Sequence, residues 1–128
     1  MHYLMSVNKV LLLGNVCHTP QEFAEGKGLK FSLATNKKGY TTQDGKTIPD
    51  RTEFHNIVVF GGLMKICKEY VKKGDKLYIE GELRYRDYEG KDGAKKIAAE
   101  IYAEAIELLT QKPKTAPAEE DDGLPFPR

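Results

Sequence analysis

No stretch of this 128-residue chain approaches the roughly 20 consecutive apolar residues that a membrane-spanning helix needs, so a helical membrane protein is excluded and no membrane partner is expected. Its opening, MHYLMSVNKV, lacks the basic n-region and apolar h-region of a secretory signal, and Met5 is a candidate natural start with MHYL as an extension. Cysteine is scarce: Cys17 and Cys67 lie far apart and neither belongs to a CxxC pair, which excludes a disulfide framework. Reduced thiols in a cytoplasm are the expectation. Cys17 and His18 are adjacent but have no second cluster to complete a metal site, so neither a metal nor another cofactor is expected. There is no HxxxH, no pair of catalytic carboxylates and no Ser-His-Asp set. The glycine–lysine pair in EGKGLK lacks phosphate-loop spacing and precedes a strand rather than a helix. An enzyme has little here to rest on.

What is present is one domain's worth of core, 40% hydrophobic and 30% charged, with a net charge of +1 that hides an asymmetry. The last ten residues, EEDDGLPFPR, carry a net −3, and the preceding 118 carry a net +4. A basic body with an acidic tail prompts a nucleic-acid hypothesis.

VNKVLLLGNV (Val7 to Val16) reads as a strand that is apolar on both faces around Leu11 to Leu13, as in a deep core position or a subunit interface. LKFSLAT alternates, with Leu29, Phe31 and Leu33 on one face and Lys30, Ser32 and Ala34 on the other. QDGK signals a two-residue hairpin turn. TEFHNIVVF is a third strand; then the period changes, and Leu63, Ile66, Cys67, Tyr70 and Val71 form one helical face with Gly74 placed as its C-terminal cap. KLYIEGELRYRDY is a fourth strand and EGKDG a loop tip. KKIAAEIYAEAIELL supports two readings: Ala and Glu content favours a helix, while the alternation Ile97, Ala99, Ile101, Ala103, Ala105 fits a strand. If that last element is a strand, the order is that of an OB-fold, a small closed β-barrel with one helix. From QKPKTAPA onward the composition is that of a linker.

Strand parity brings out a candidate surface. With Leu77, Ile79 and Leu83 inward, Arg84, Arg86 and Tyr88 point outward together. Phe54, Asn56, Val58 and Phe60 share one face of the third strand, and His55, Ile57 and Val59 the other; either face could be the core. Lys37, Lys38 and Tyr40 lie in the loop after the second strand. Arginines interleaved with exposed rings suit an unpaired nucleic-acid strand, because cations track phosphates and flat rings stack on bases, each worth about 1–3 kcal/mol irrespective of sequence. The alternative is that the phenylalanines are core and the arginines a solvated face.

SVNKVLLLGNV, FSLAT, RTEFHNIVVFGGL, EYVKKGDKLYIEGELRYRDY and the ending DDGLPF together resemble the bacterial single-stranded DNA-binding proteins, over Ser6 to about Leu109 plus the tail. The resemblance implies an OB-fold, a five-stranded Greek-key barrel spanning residues 1–110, whose last segment is a strand. It also implies a cytoplasmic, nucleoid-associated homotetramer that wraps single-stranded DNA. Bases would stack on Tyr40, Phe54, Phe60 and Tyr88; Arg84 and Arg86 match basic positions that contact phosphate, and Lys37 and Lys73 extend the basic track. His55 and Tyr78 fall at the implied subunit interface. The chain departs from the family in having no tryptophan, so its stacking faces are smaller, and in placing Asn56 where many relatives carry a basic residue. Two other classes stay open: an OB-fold RNA-binding or translation-associated protein, and a purely structural oligomerisation module.

The same resemblance gives residues 119–128 a role as a disordered docking tail for replication, recombination and repair enzymes. Leu124, Pro125 and Phe126 would enter a small apolar pocket, while Asp121 and Asp122, with the two preceding glutamates, meet a basic rim. In the family the tip ends at its phenylalanine; here Pro127 and Arg128 follow and move the terminal carboxylate away. Residues 111–118 form a linker that spans roughly 15 Å, so the acids are held close enough to compete with DNA for the arginines.

Overall fold

The computed structural model describes residues 5–109; the linker and docking tail expected at 111–128 lie outside the described residues. The chain runs through β1 (Val10–Val16), β2 (Gln21–Phe23), β3 (Gly28–Lys37), β4 (Tyr40–Thr41), β5 (Thr47–Ile48), β6 (Arg51–Phe60), α1 (Leu63–Tyr70), β7 (Lys76–Glu89) and β8 (Lys95–Leu108). Hydrogen bonding orders the main sheet β1-β7-β8-β6-β3, and β1 then pairs with β3 through Asn15 opposite Ala34 and Val16 opposite Leu33, which closes a five-stranded barrel. This is the expected OB-fold, all-β with one helix. The ambiguous segment is a strand: β8 runs antiparallel to β7 along most of its length and parallel to β6 from Asn56 to Val58. Its alanines and glutamates favour a helix locally, but one edge pairs with β7 along the strand and the other with β6 at Glu100 to Tyr102, and pairing outweighs propensity.

Alternation decides the core. Leu29, Phe31 and Leu33 of β3, Ile57 and Val59 of β6, and Leu77 and Ile79 of β7 are buried together. Truncating any of the large ones to alanine should cost about 2–5 kcal/mol. Parity breaks once, in β8, at a bulge where Glu80 faces Ala105 but Gly81 faces Ala103 and Glu104 is the extra residue. A Cβ at Gly81 would sit 2.3 Å from the Tyr102 carbonyl oxygen, so only glycine lets β7 approach β8 there. Beyond the bulge the two strands continue as a hairpin arm whose β7 residues from Arg84 to Glu89 are all exposed.

Four local expectations are corrected. The first strand begins at Val10, not Val7, because the Asn8 side chain takes over the pairing: its Nδ2 donates to the Leu83 carbonyl at 2.8 Å and its Oδ1 accepts from the Leu83 N–H at 3.0 Å. The helix buries Cys67 and Val71 with Leu63 and Met64 partly covered, while Ile66 and Tyr70 face outward. Gly74 is not the helix cap; Val71 closes the helix by donating to the Cys67 carbonyl, and Gly74, at φ +91°, sits in the following turn. The QDGK hairpin has a three-residue loop, since Gly45 donates to the Thr42 carbonyl and Thr42 to the Lys46 carbonyl. The β7–β8 hairpin repeats that pattern through Gly90, Gly93 and Ala94. The short strand β2, paired with β3 from Gln21 to Phe23, was hidden by the turn residues around it.

Candidate nucleic-acid interface

With Ile57 and Val59 inward, the opposite parity of β6 becomes the floor of an open face. Phe54 is 67% exposed and Phe60 43%, so the parity question resolves in favour of surface rings. Between them Asn56 is exposed, and Val58 is buried as the low point of the floor. Three strands complete the face. β3 contributes Lys30 and Ser32, β8 contributes Ala98, Glu100 and Tyr102, and β7 contributes Arg84, Arg86 and Tyr88. A depression of about 300 Å³ opens at its centre, lined by His18, Gln21, Lys30, Ser32, Asn56, Val58, Arg86, Tyr88, Ala98 and Glu100.

Two chains of contacts organise this face. In the first, Phe60 meets Phe23 edge-on with centroids 5.6 Å apart and stacks on Tyr102 at 5.9 Å and 25°. The Arg84 guanidinium lies 4.2 Å over the Tyr102 ring and pairs with Glu82, while the Lys30 ammonium stands 5.7 Å from the Phe23 centroid. In the second, Arg86 lies 5.8 Å from the Tyr88 centroid and donates to Glu100, with Nη2 at 2.9 Å from Oε2. Hydrogen bonding to Glu100, then its charge, holds the Arg86 guanidinium protonated more firmly than usual. Cations over aromatic faces contribute roughly 0.5–2 kcal/mol each and fix the rings in place.

The expected residues distribute unevenly. Phe54, Phe60, Arg84, Arg86 and Tyr88 share the one face: strand parity groups the three β7 residues, and the resemblance implies the two β6 rings. Tyr40 stands exposed on the separate β4–β5 ribbon, whose two ends are joined by the Gly39 N–H donating to Asp50 Oδ1 at 2.7 Å. Lys37 ends β3 opposite Arg51, and Lys73 lies in the turn between α1 and β7; neither lines the central depression. Sequence reasoning missed Tyr102 and Glu100, which lie on the strand read ambiguously, and Phe23, Gln21 and Lys30, which gather around the short β2. The alternation in β3 had already put Lys30 outward, and that was the available signal.

His55 and Tyr78 lie away from this face. The ring of His55 is half-buried, with Nε2 2.9 Å from Thr35 Oγ1. Tyr78 donates its hydroxyl to Glu80 at 2.7 Å, which raises the phenol's pKa and lowers that of the carboxyl. Beside Tyr78, directly across β1, Leu13 is 51% exposed and Leu11 is 58% exposed on the same side. Cys17 is half-buried and Cys67 fully buried, both as free thiols, and burial pushes the Cys67 thiol up to about 11. Among the described residues no helix is long and apolar enough to cross a membrane.

Residues 7–109 match the Single-strand binding protein family, and the chain belongs to that family. It is 47% identical over 111 residues to a single-stranded DNA-binding protein of Bacteroides thetaiotaomicron, covering 84% of this chain and 69% of the relative. It is 40% identical to a single-stranded DNA-binding protein of Xanthomonas axonopodis, covering 80% of this chain and 58% of that one. The chain thus spans roughly three-fifths to two-thirds of the length of these curated relatives. Among solved structures it resembles a Plasmodium falciparum SSB in complex with ssDNA, at a TM-score of 0.72 and 26% identity, covering 85% of this chain and 100% of that one. It also resembles the mitochondrial single-stranded DNA-binding protein Rim1 of Saccharomyces cerevisiae, at a TM-score of 0.58 and 26% identity, covering 84% of this chain and 100% of that one.

Proposed function

We propose that this chain binds and protects single-stranded DNA with little sequence preference during replication, recombination and repair, as a homotetramer in the bacterial cytoplasm at the nucleoid. The observation that carries the reading is the open β6 face, where Phe54, Phe60 and Tyr88 stand in solvent beside Arg84 and Arg86. A duplex hides its base faces, whereas an unpaired strand can lay them on these rings. Tyr40 extends the stacking surface from its ribbon, and Lys37 and Lys73 supply cations further along the path. The role is binding without catalysis. The names of the bacterial relatives and the DNA-bound Plasmodium structure support the same ligand.

Assembly is favoured by β1. Its Leu11 and Leu13 form an apolar strip that the described part of the chain leaves in water, with Tyr78 alongside; His55, on β6 opposite Leu33, is assigned to the same assembly. A second copy covering that strip is the homotetramer's first contact. In the acidic tail, Asp121, Asp122, Leu124, Pro125 and Phe126 form the docking motif for partner enzymes, joined to the barrel domain (residues 1–110) by the linker at 111–118.

The test is binding of the full chain to labelled oligo-dT, matched RNA and duplex DNA at two salt concentrations. Tight, salt-sensitive binding to dT with far weaker duplex binding is expected. Equal binding to duplex would reduce the face to a charge patch, and preference for RNA would move the ligand class.

A further inference from the structure

The centre of the proposed face holds an ion pair where a phosphate-binding site needs a free cation. Glu100 is only 8% exposed, and both its oxygens accept from Arg86: Nη2 lies 2.9 Å from Oε2, and Nε lies 3.3 Å from each oxygen. The Arg86 side chain remains 55% exposed above it. The carboxylate is therefore sealed beneath the guanidinium, and the pair carries no net charge. A phosphate approaching Arg86 from solvent meets the Glu100 charge one residue's depth below, with little water between to screen it. What Arg86 does offer is a flat guanidinium, with the Tyr88 ring 5.8 Å away. Around it, the depression of about 300 Å³ presents the polar side chains of Ser32 and Asn56. Lys30 lines the same depression and has no ion pair among the described residues, only the Phe23 ring 5.7 Å off.

We infer that the Arg86–Glu100 pair is a neutral platform that receives a nucleobase rather than a phosphate, and that Lys30 is the phosphate-neutralising cation of this depression. The inference rests on the reading of the face as a single-strand site. It assigns Arg86 a role different from that of an ordinary exposed arginine, because guanidinium planes stack on bases as aromatic rings do.

Salt dependence separates the two roles, since each phosphate neutralised on a single strand adds about 0.7 to the slope of log K against log salt. The experiment titrates the full chain with oligo-dT and with an abasic deoxyribose-phosphate chain of the same length, across a salt series. The double variant Arg86→Gln/Glu100→Gln preserves the pair's zero net charge. It should leave the slope unchanged, weaken dT binding about 5- to 150-fold by the loss of one stacked base, and leave abasic binding as it was. Lys30→Gln should lower the slope by about 0.7 on both strands. Glu100→Gln, which leaves Arg86 a single acceptor oxygen and removes the neutralising charge beneath it, should raise it by about 0.7. A double variant that lowers the slope and weakens both strands alike overturns the inference, as does one that binds dT like the wild type. If the double variant fails to fold, Glu100→Gln decides alone: an unchanged slope overturns the inference. A wild-type chain that binds neither strand overturns the underlying reading itself, a distinct result.

Discussion

Phe54 and Ile57 lie three residues apart on one strand yet should fail in opposite ways. Phe54 is 67% exposed, so Phe54→Ala leaves no cavity and should change stability by no more than about 0.5 kcal/mol. If one base stacks on its ring, the same change removes about 1–3 kcal/mol of binding, a rise in Kd of roughly 5- to 150-fold. Because no charge is lost, the slope of log K against log salt should stay that of the wild type. Ile57, by contrast, is fully buried on the inner parity, and Ile57→Ala should cost about 2–5 kcal/mol in urea unfolding while the folded fraction binds normally. Anisotropy of a labelled oligo-dT of about eight nucleotides, within the span of one OB-fold, isolates a single face. Phe60 is a poorer probe, since it stacks on Tyr102 and abuts Phe23, and its removal disturbs both. Phe54→Ala binding within twofold of wild type would refute the argument that outward parity on β6 makes a stacking site. So would a loss accompanied by a shallower salt slope, which would mean that the ring was only positioning a cation.

Four further outcomes are expected. Deleting residues 119–128 removes a net −3 and should tighten single-strand binding, most at low salt; equal affinity across a salt series would show that the tail does not compete. Cys67, its thiol pushed from 9.0 to about 11 by burial, should resist alkylation at pH 8 in the native protein, with its thiolate reduced about a hundredfold. The native state holds the Cys67 proton more tightly than the unfolded state, so stability should fall as pH rises from about 9 to 11, and the fall should be shallower in Cys67→Ala, where the raised Tyr78 phenol still contributes a loss of the same sign. Leu13→Asp places a charge in the exposed β1 strip and should shift the chain towards smaller species in light scattering; an unchanged mass would remove β1 from the assembly contact.

Much of this face is legible in the sequence because strand parity is a hard rule. Side chains alternate with period two, so once Leu77 and Ile79 are inward, Arg84, Arg86 and Tyr88 must share the other side, provided the arm continues without a shift. The bulge at Gly81 tests that condition. The extra residue falls in β8, where Glu80 and Gly81 face Ala105 and Ala103 across Glu104, so the parity of β7 runs unbroken and the prediction survives. The parity of β6 was open because both of its faces carry large apolar residues; only the closing of the barrel over Ile57 and Val59 chose between them. The helix face was misread by one position for a related reason. Ile66 and Tyr70 are apolar enough to satisfy a 3.6-residue pattern, yet α1 is eight residues long and touches the barrel along a narrow line through Cys67.

What could not be read was anything that depended on two strands distant in sequence meeting side by side. Glu100 looks like one more acid in an alanine–glutamate run, and its burial follows only from β8 lying between β6 and β7. Tyr102 likewise acquires its meaning from Phe60 on one side and Arg84 on the other, partners 42 and 18 residues away. This matters for how the face works. The exposed rings that parity reveals are the ones a base can reach, but the groups that set their geometry and charge come from β8. A sequence search for arginines beside aromatics therefore finds the contact surface and assigns every arginine the same electrostatic duty. The fold distinguishes them: Arg84 rests on a ring and pairs with the more accessible Glu82, whereas Arg86 is neutralised from beneath by Glu100. Basic residues on one strand of one face need not make equal contributions to salt-dependent binding, and here the buried carboxylate is the reason.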